Sequence, residues 1–240
     1  MSIAIVGATG AIGSALSRRI AQAGKTPWLI GRSADKLQAL ATDLSSSANS
    51  LITVADCSDV ESVGAALKAD LPSDLVGVAY CVGNINLKPI KRSSIDDFRA
   101  MFDLHVVGAA EVLKACEAPL KKHGGAAVLF SSVAVQQGFT NHALISSAKG
   151  AVEGLTRALA AEFAPKVRVN AIAPSISASA MAEPLLGKEA MAAALAKAHP
   201  LGRTGEPDDH AALASFLLSS DSSWITGQVI GVDGGRHAVA

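Results

Sequence analysis

The stretch Ser2-Ile3-Ala4-Ile5-Val6-Gly7-Ala8-Thr9-Gly10-Ala11-Ile12-Gly13 decides the fold. Its first five residues are mostly apolar and end at a glycine, the mark of a short buried strand. Residues 11–23 are rich in Ala, Leu and Ile and stop before Gly24, the mark of a helix with a glycine terminator. Between strand and helix the glycines are spaced G-x-x-G-x-x-G. In such a turn glycines permit a tight bend, close approach of backbone to a pyrophosphate, and close packing of helix on strand. The helix N-terminus supplies unpaired N–H groups and a partial positive charge. Gly7, Thr9, Gly10, Ile12 and Gly13 are therefore the expected pyrophosphate turn of a dinucleotide site.

Outward from this turn, apolar strands alternate with helical patterns. Further strands are expected at 28–30, 51–54, 75–82, 126–130, 167–172 and 229–232, and helices at 33–44, 58–70, 94–116, 145–163 and 207–218. Ser33 suits a helix N-cap, Ser94 with Asp97 suits a capping box, and Pro207 suits a first helical position. Strands apolar on both faces, alternating with helices, predict an α/β Rossmann-type, doubly wound parallel sheet of about seven strands, in one domain over residues 1–240. Residues 175–200 are rich in Ser, Ala and Met without a strand, and read as a small helical substrate flap.

Composition narrows the function. Half of the 240 residues are apolar, which excludes intrinsic disorder. Lys+Arg and Asp+Glu both count 21, so the chain has no basic footprint for nucleic acid. No apolar run reaches the ~18–20 residues that span a bilayer. The start resembles no signal peptide, and three scattered cysteines show neither disulfide nor metal spacing. A cytoplasmic chain with a small-molecule substrate, no metal, no membrane and no nucleic-acid partner is expected. After the second strand comes Arg32, followed by Ser33. An acid at that point would bond a ribose 2′-hydroxyl, whereas an arginine suits a 2′-phosphate, so NADP(H) is expected over NAD(H).

Several segments together are similar to the short-chain dehydrogenase/reductase family: the glycine turn, Ala55-Asp56-Cys57, Ser131-Ser132-Val133, Lys149-Gly150-Ala151-Val152, Val167 to Pro174, Pro200 to Pro207, and Ile225 to Gly235. The resemblance covers essentially the whole chain. It implies that Asp56 bonds the adenine amino group with Cys57 contributing backbone, and that Cys81, Val82 and Gly83 line the adenosine ribose. It also implies that Pro174, Ser177 and Ser179 hold the nicotinamide side, and that the chain forms a homodimer or homotetramer. Ser175 replaces the family's usual glycine after Pro174.

The resemblance breaks at the catalytic centre. The family uses Asn, Ser, Tyr and Lys. Ser132 and Lys149 match, but the Tyr position, four residues before Lys149, is Ile145, and the Asn position is His105. Ser132 keeps the family's 13-residue spacing to Ile145, so no gap explains the change. The chain's one tyrosine, Tyr80, lies elsewhere. His142 stands seven residues before Lys149, and on a continuous helix the two would share a face. Histidine titrates near neutrality, so His142 is the expected substitute acid, with His105 a candidate proton relay. The expected function is an NAD(P)H-dependent oxidoreductase with altered proton delivery, acting on a carbonyl or an activated, enoyl-type double bond. The alternatives are a catalytically silent NADP(H)-binding sensor or scaffold, and a non-redox isomerase or lyase on the same fold.

Overall fold

The computed structural model describes Met1 to Val239, and these residues form a seven-stranded sheet. The strands are β1 Ser2–Val6, β2 Thr26–Gly31, β3 Leu51–Val54, β4 Leu75–Tyr80, β5 Ala126–Phe130, β6 Arg168–Pro174 and β7 Val229–Val232. Their order is β3-β2-β1-β4-β5-β6-β7, with every neighbouring pair parallel. The helices are α1 Ala11–Gln22, α2 Ala34–Leu44, α3 Val63–Ala69, α4 Ile95–Phe102, α5 Gly108–His123, α6 Ala143–Phe163, α7 Glu183–Leu186, α8 Glu189–Lys197 and α9 Pro207–Leu218.

The period-two geometry of the strands divides the core in two. Ala4 and Val6, with Trp28, Ile30, Val78, Leu129 and Val169, face the side covered by α3, α5 and α6. Ile3 and Ile5, with Leu29, Ala79, Val128 and Ile172, face the side covered by α1, α2 and α9. Strands buried on both faces cannot show polar alternation, which is why β1, β4 and β5 read as continuous apolar runs. The chain leaves β1 toward β2 and leaves β4 toward β5. Their shared C-terminal ends are thus the topological switch point where such sheets open a ligand crevice.

Local chemistry sets the ends. Ser33 caps α2 by accepting from the Lys36 amide. Ser94 and Asp97 form the expected capping box of α4. Gly124, with φ 64°, ends α5 in the left-handed region. Residues 175–200 contain two short helices, α7 and α8, and no strand of the sheet.

Two helical expectations need correction. The helix expected over 58–70 occupies only Val63–Ala69, because Asp59 and Asp56 carbonyls close turns ahead of it. The helix expected over 94–116 is three pieces: α4, a wide π-helical turn Asp103–Val107, and α5 running on to His123. The turn has a visible cause. Tyr80 Oη–H donates to the Leu104 carbonyl at 2.6 Å, so that carbonyl has a partner outside the helix. Gly108 leaves room for this contact. A Cβ there would stand 2.7 Å from Tyr80 Oη and 2.7 Å from the Cys57 carbonyl.

Candidate active site and dinucleotide crevice

The turn between β1 and α1 is built around two crowded glycines. Gly7 has φ 80°, and a Cβ on it would lie 3.1 Å from the Cys81 and Val82 backbone. A Cβ on Gly13 would lie 2.2 Å from the Gly7 carbonyl, so α1 could not sit this close to the turn with any other residue there. Gly10 occupies the N-cap of α1 with no side chain to occupy the helix's first amides. Thr9, Gly10 and Ile12 remain open to solvent to differing degrees, while Gly13 is buried. The cradle fits a pyrophosphate: crowded where backbone must approach, and uncapped where an anion would rest.

Arg32 follows β2 and is exposed, with Ser33 engaged as the α2 cap. Asp56 follows β3. Its Oδ1 accepts from the Ser58 amide at 2.9 Å and the Ser58 hydroxyl at 2.7 Å. These bonds, with a smaller contribution from the nearby Arg32 cation, hold its carboxyl below the usual range. Cys57 is buried, and desolvation pushes its thiol up to about 11. Arg32 and Asp56 thus stand at neighbouring strand ends, one cationic and one anionic.

After β4, Cys81, Val82 and Gly83 pass the turn, the Cys81 amide donating to the Val6 carbonyl at 2.8 Å. Gly83 is the point where the site contracts. A Cβ there would be 3.0 Å from His105 Cε1, 3.7 Å from His105 Nδ1 and 3.9 Å from Lys149 Nζ. The fold therefore brings Gly83, His105 and Lys149 together. His105 lies in the π-helical turn, 1% exposed. Its Nε2–H donates to Asn84 Oδ1 at 3.2 Å, which leaves Nδ1 as a buried acceptor without a partner. Burial, and then the neighbouring Lys149 cation, push His105 down to about 3, so it stays neutral.

Lys149 lies on α6, 7% exposed, and Nζ donates to the Phe130 carbonyl at 2.7 Å. Desolvation lowers it to about 7. Ser132, two residues beyond β5, accepts from the Ala134 amide at 3.2 Å and is half-buried. Ile145 is 4% exposed and belongs to an apolar cluster with Met101, Leu144 and Ala148. Ser131 and Glu153, which sequence reading passed over, brace this region: Glu153 Oε1 accepts from the Ser131 hydroxyl at 2.8 Å and from Gln136 at 2.6 Å. Their one signal was the position of Glu153, a turn of helix beyond Lys149.

His142 does not join this cluster. The expectation assumed that His142 lies within the helix, but α6 begins at Ala143 and His142 is its N-cap, with ψ 10°. Asn141 before it has φ 66°, which turns the incoming chain. The His142 ring packs on Phe139, and Nδ1 donates to the Thr140 carbonyl at 2.7 Å.

Beyond β6, Pro174 leads into a hydroxyl-rich loop. Ser177 Oγ–H donates to the Ser175 carbonyl at 3.1 Å and pairs with His210 Nε2 at 2.5 Å. Ser179 Oγ–H donates to the Ser177 carbonyl at 3.3 Å and accepts from the Ala182 amide at 3.2 Å, holding the start of the flap. Both hydroxyls therefore have protein partners. His210, which carries no sequence motif, is fully buried and fixes this loop. Among the described residues there is no His/Cys/Asp/Glu cluster suited to a metal, and no helix long and apolar enough to cross a membrane.

Residues 7–237 match the family described as enoyl-(acyl carrier protein) reductase. A short-chain type dehydrogenase/reductase from Mycobacterium ulcerans superposes with a TM-score of 0.92 at 29% identity, over 98% of this chain and 89% of that one. This chain belongs to the short-chain dehydrogenase/reductase family. An uncharacterized oxidoreductase of Mycobacterium tuberculosis is 35% identical, across 99% of this chain and 91% of that relative. A gluconate 5-dehydrogenase from Burkholderia cenocepacia, solved in complex with NADP and tartrate, has a TM-score of 0.91 at 25% identity, over 100% of this chain and 96% of that one. The short-chain dehydrogenase/reductase fold thus extends over the whole described chain, and its relatives are oxidoreductases.

Proposed function

We infer that the chain is an NADP(H)-linked oxidoreductase that reduces a carbonyl or an activated double bond, with proton delivery rebuilt around Lys149. The observation that carries this reading is the convergence of Lys149 Nζ and the unpartnered His105 Nδ1 within 4 Å of one point beside Gly83. A bound dinucleotide would supply or accept a hydride at its nicotinamide. The uncapped α1 terminus and the crowded glycines Gly7 and Gly13 would hold its pyrophosphate, and Arg32 a 2′-phosphate. Asp56 would bond the adenine amino group, Lys149 and the Cys81–Gly83 backbone the riboses, and Pro174, Ser177 and Ser179 the carboxamide side. Ser132 would donate to the substrate oxygen.

Proton supply is where this chain departs from the pattern that the family resemblance implies. Ile145 has no proton to give. His105 is held neutral by burial, so it serves as an acceptor or relay and not as an acid. Lys149, lowered to about 7, changes charge at neutral pH and is the group able to release a proton there. The packing of Ile145 among Met101, Leu144 and Ala148 favours one second reading, an NADP(H)-binding sensor or scaffold without turnover. Exposed apolar side chains along α4 and the π-helical turn after it, namely Ile95, Phe102 and Val107, support assembly as a homodimer or homotetramer.

Calorimetric titration with NADPH and NADH tests the cofactor assignment. Tighter NADPH binding that falls to the NADH level in Arg32→Ala is expected; equal affinities in the unaltered protein would sink it. Hydride transfer is tested by following NADPH absorbance against panels of ketones and conjugated enoyl thioesters. Firm NADPH binding with no substrate turned over in either panel would leave the sensor reading standing.

A further inference from the structure

A cavity of ≈ 270 Å³ opens between the end of β6, the loop after α8 and the end of β7. Ser175 and His199 both line it, whereas Ser132, Lys149, Ser177 and Ser179 do not. Ser175 Oγ and His199 Nε2 are 2.8 Å apart. His199 Nδ1 lies 2.7 Å from the Leu195 carbonyl. A carbonyl can only accept, so Nδ1 carries the hydrogen. In the neutral ring Nε2 is then a lone pair, and the Ser175 hydroxyl must donate to it. That is the order of a serine nucleophile: hydroxyl, base, and a third group that fixes the base.

The adjacent serine–histidine pair runs the other way. Ser177 Oγ–H is committed to the Ser175 carbonyl, so His210 Nε2–H donates to Ser177. The orphaned Nδ1 of His210 agrees with that tautomer. This second pair removes no proton from its serine. It anchors the backbone of Ser175 instead, and His199, only 3% exposed, is held from its own side by α8.

We propose that this cavity is an acyl-transfer site for short-chain carboxylic esters, with Ser175 the nucleophile and His199 its general base. The Ser175 oxygen bonds to the ester carbonyl carbon as Nε2 takes the hydroxyl proton. The bond to the alcohol oxygen then breaks, and the same proton passes to that oxygen. Water repeats the two steps and releases the acid, so ester and water become acid and alcohol with no change of oxidation state. Arg203 also lines the cavity, with three N–H donors bonded to Asp209 and the Thr204 carbonyl. A guanidinium has five such donors, so two are left over, and the proposal gives them the oxyanion. The volume lies just below the usual range of roughly 300–1,000 Å³ for drug-sized ligands, which restricts the acyl and alcohol groups to small ones. The site shares its loop with Pro174 and Ser177, but its chemistry needs no hydride.

The test uses the full-length protein, a fluorophosphonate probe and p-nitrophenyl acetate. Intact mass should show one phosphonyl group, with loss of fluoride, and peptide mapping should place it on Ser175. Ser175→Ala should abolish labelling and the catalysed part of p-nitrophenyl release. His199→Gln should slow labelling by about 10²-fold or more, the effect of removing a positioned general base. Circular dichroism checks that both variants fold; the mapping on the unaltered protein decides the matter even if they do not. An acyl or phosphonyl group found on Lys149 or elsewhere, or no label on Ser175, overturns the proposal.

Discussion

Lys149 sits in a setting that opposes its own charge, and this has a measurable consequence. Its folded-state value of about 7 lies below the ordinary 10.5. Between those values the unfolded chain holds a proton that the folded chain has released, so stability contributed by this group rises with pH above 7. The buried thiols oppose the trend at higher pH: Cys57, Cys81 and Cys116 are raised to about 11, 12 and 12, so folded stability is lost as the unfolded thiols ionise from about 9 upward. The cofactor-free protein should therefore gain thermal stability between pH 7 and about 8.5. Lys149→Met should remove that slope, and melting curves on the pair at matched ionic strength check it. Ile145 offers a second test at this scale. Ile145→Tyr places a phenol where the family pattern has one, four residues before Lys149, and should gain reduction of simple ketones. The larger ring in the Met101–Leu144–Ala148 cluster should cost about 1–3 kcal/mol of stability. A crystal structure showing the phenol turned away from Lys149 would contradict the site's alignment.

At the scale of elements, the π-helical turn links the chain's one tyrosine to the site. Tyr80 Oη–H holds the Leu104 carbonyl, and the residue after Leu104 is His105. Tyr80→Phe should cost about 1–3 kcal/mol, since it leaves a carbonyl short of its donor in the core. It should also weaken NADPH binding by displacing His105; unchanged affinity would separate the turn from the site. Here the limits of sequence reading have a physical cause. Strands buried on both faces, the caps at Ser33 and Ser94, and the glycine turn all depend on residues close in sequence, and each was legible. The wide turn depends on a hydroxyl 24 positions away and left no local periodicity to read. The same holds for His142: seven positions imply a shared face only inside a helix, and Asn141 turns the chain just before α6 starts. Arg32 was singled out by its position after a strand, and Asp56 and Lys149 by their place in the family's motifs. Glu153 and His210 were missed because their partners come from other elements.

For the whole molecule, the exposed apolar residues on α4 and the π-helical turn place the test of assembly. Phe102 is 36% exposed and Val107 38%, on neighbouring turns of one helical stretch. If two copies join there, Phe102→Asp with Val107→Asp should convert the assembled species to a monomer in analytical ultracentrifugation, while a monomeric unaltered protein would exclude the assembly outright.

The strand order has one more consequence, for synthesis on the ribosome. β1 stands at the centre of the sheet between β2 and β4, yet β4 begins only at Leu75. At roughly 5–20 residues per second, the nascent chain extends for several seconds with one edge of β1 open. That edge belongs to a strand buried on both faces in the finished sheet, so neither charge nor proline guards it. Until β4 emerges, the β1–β2–β3 half presents an adhesive rim, and the organism's cotranslational chaperones have that interval in which to cover it.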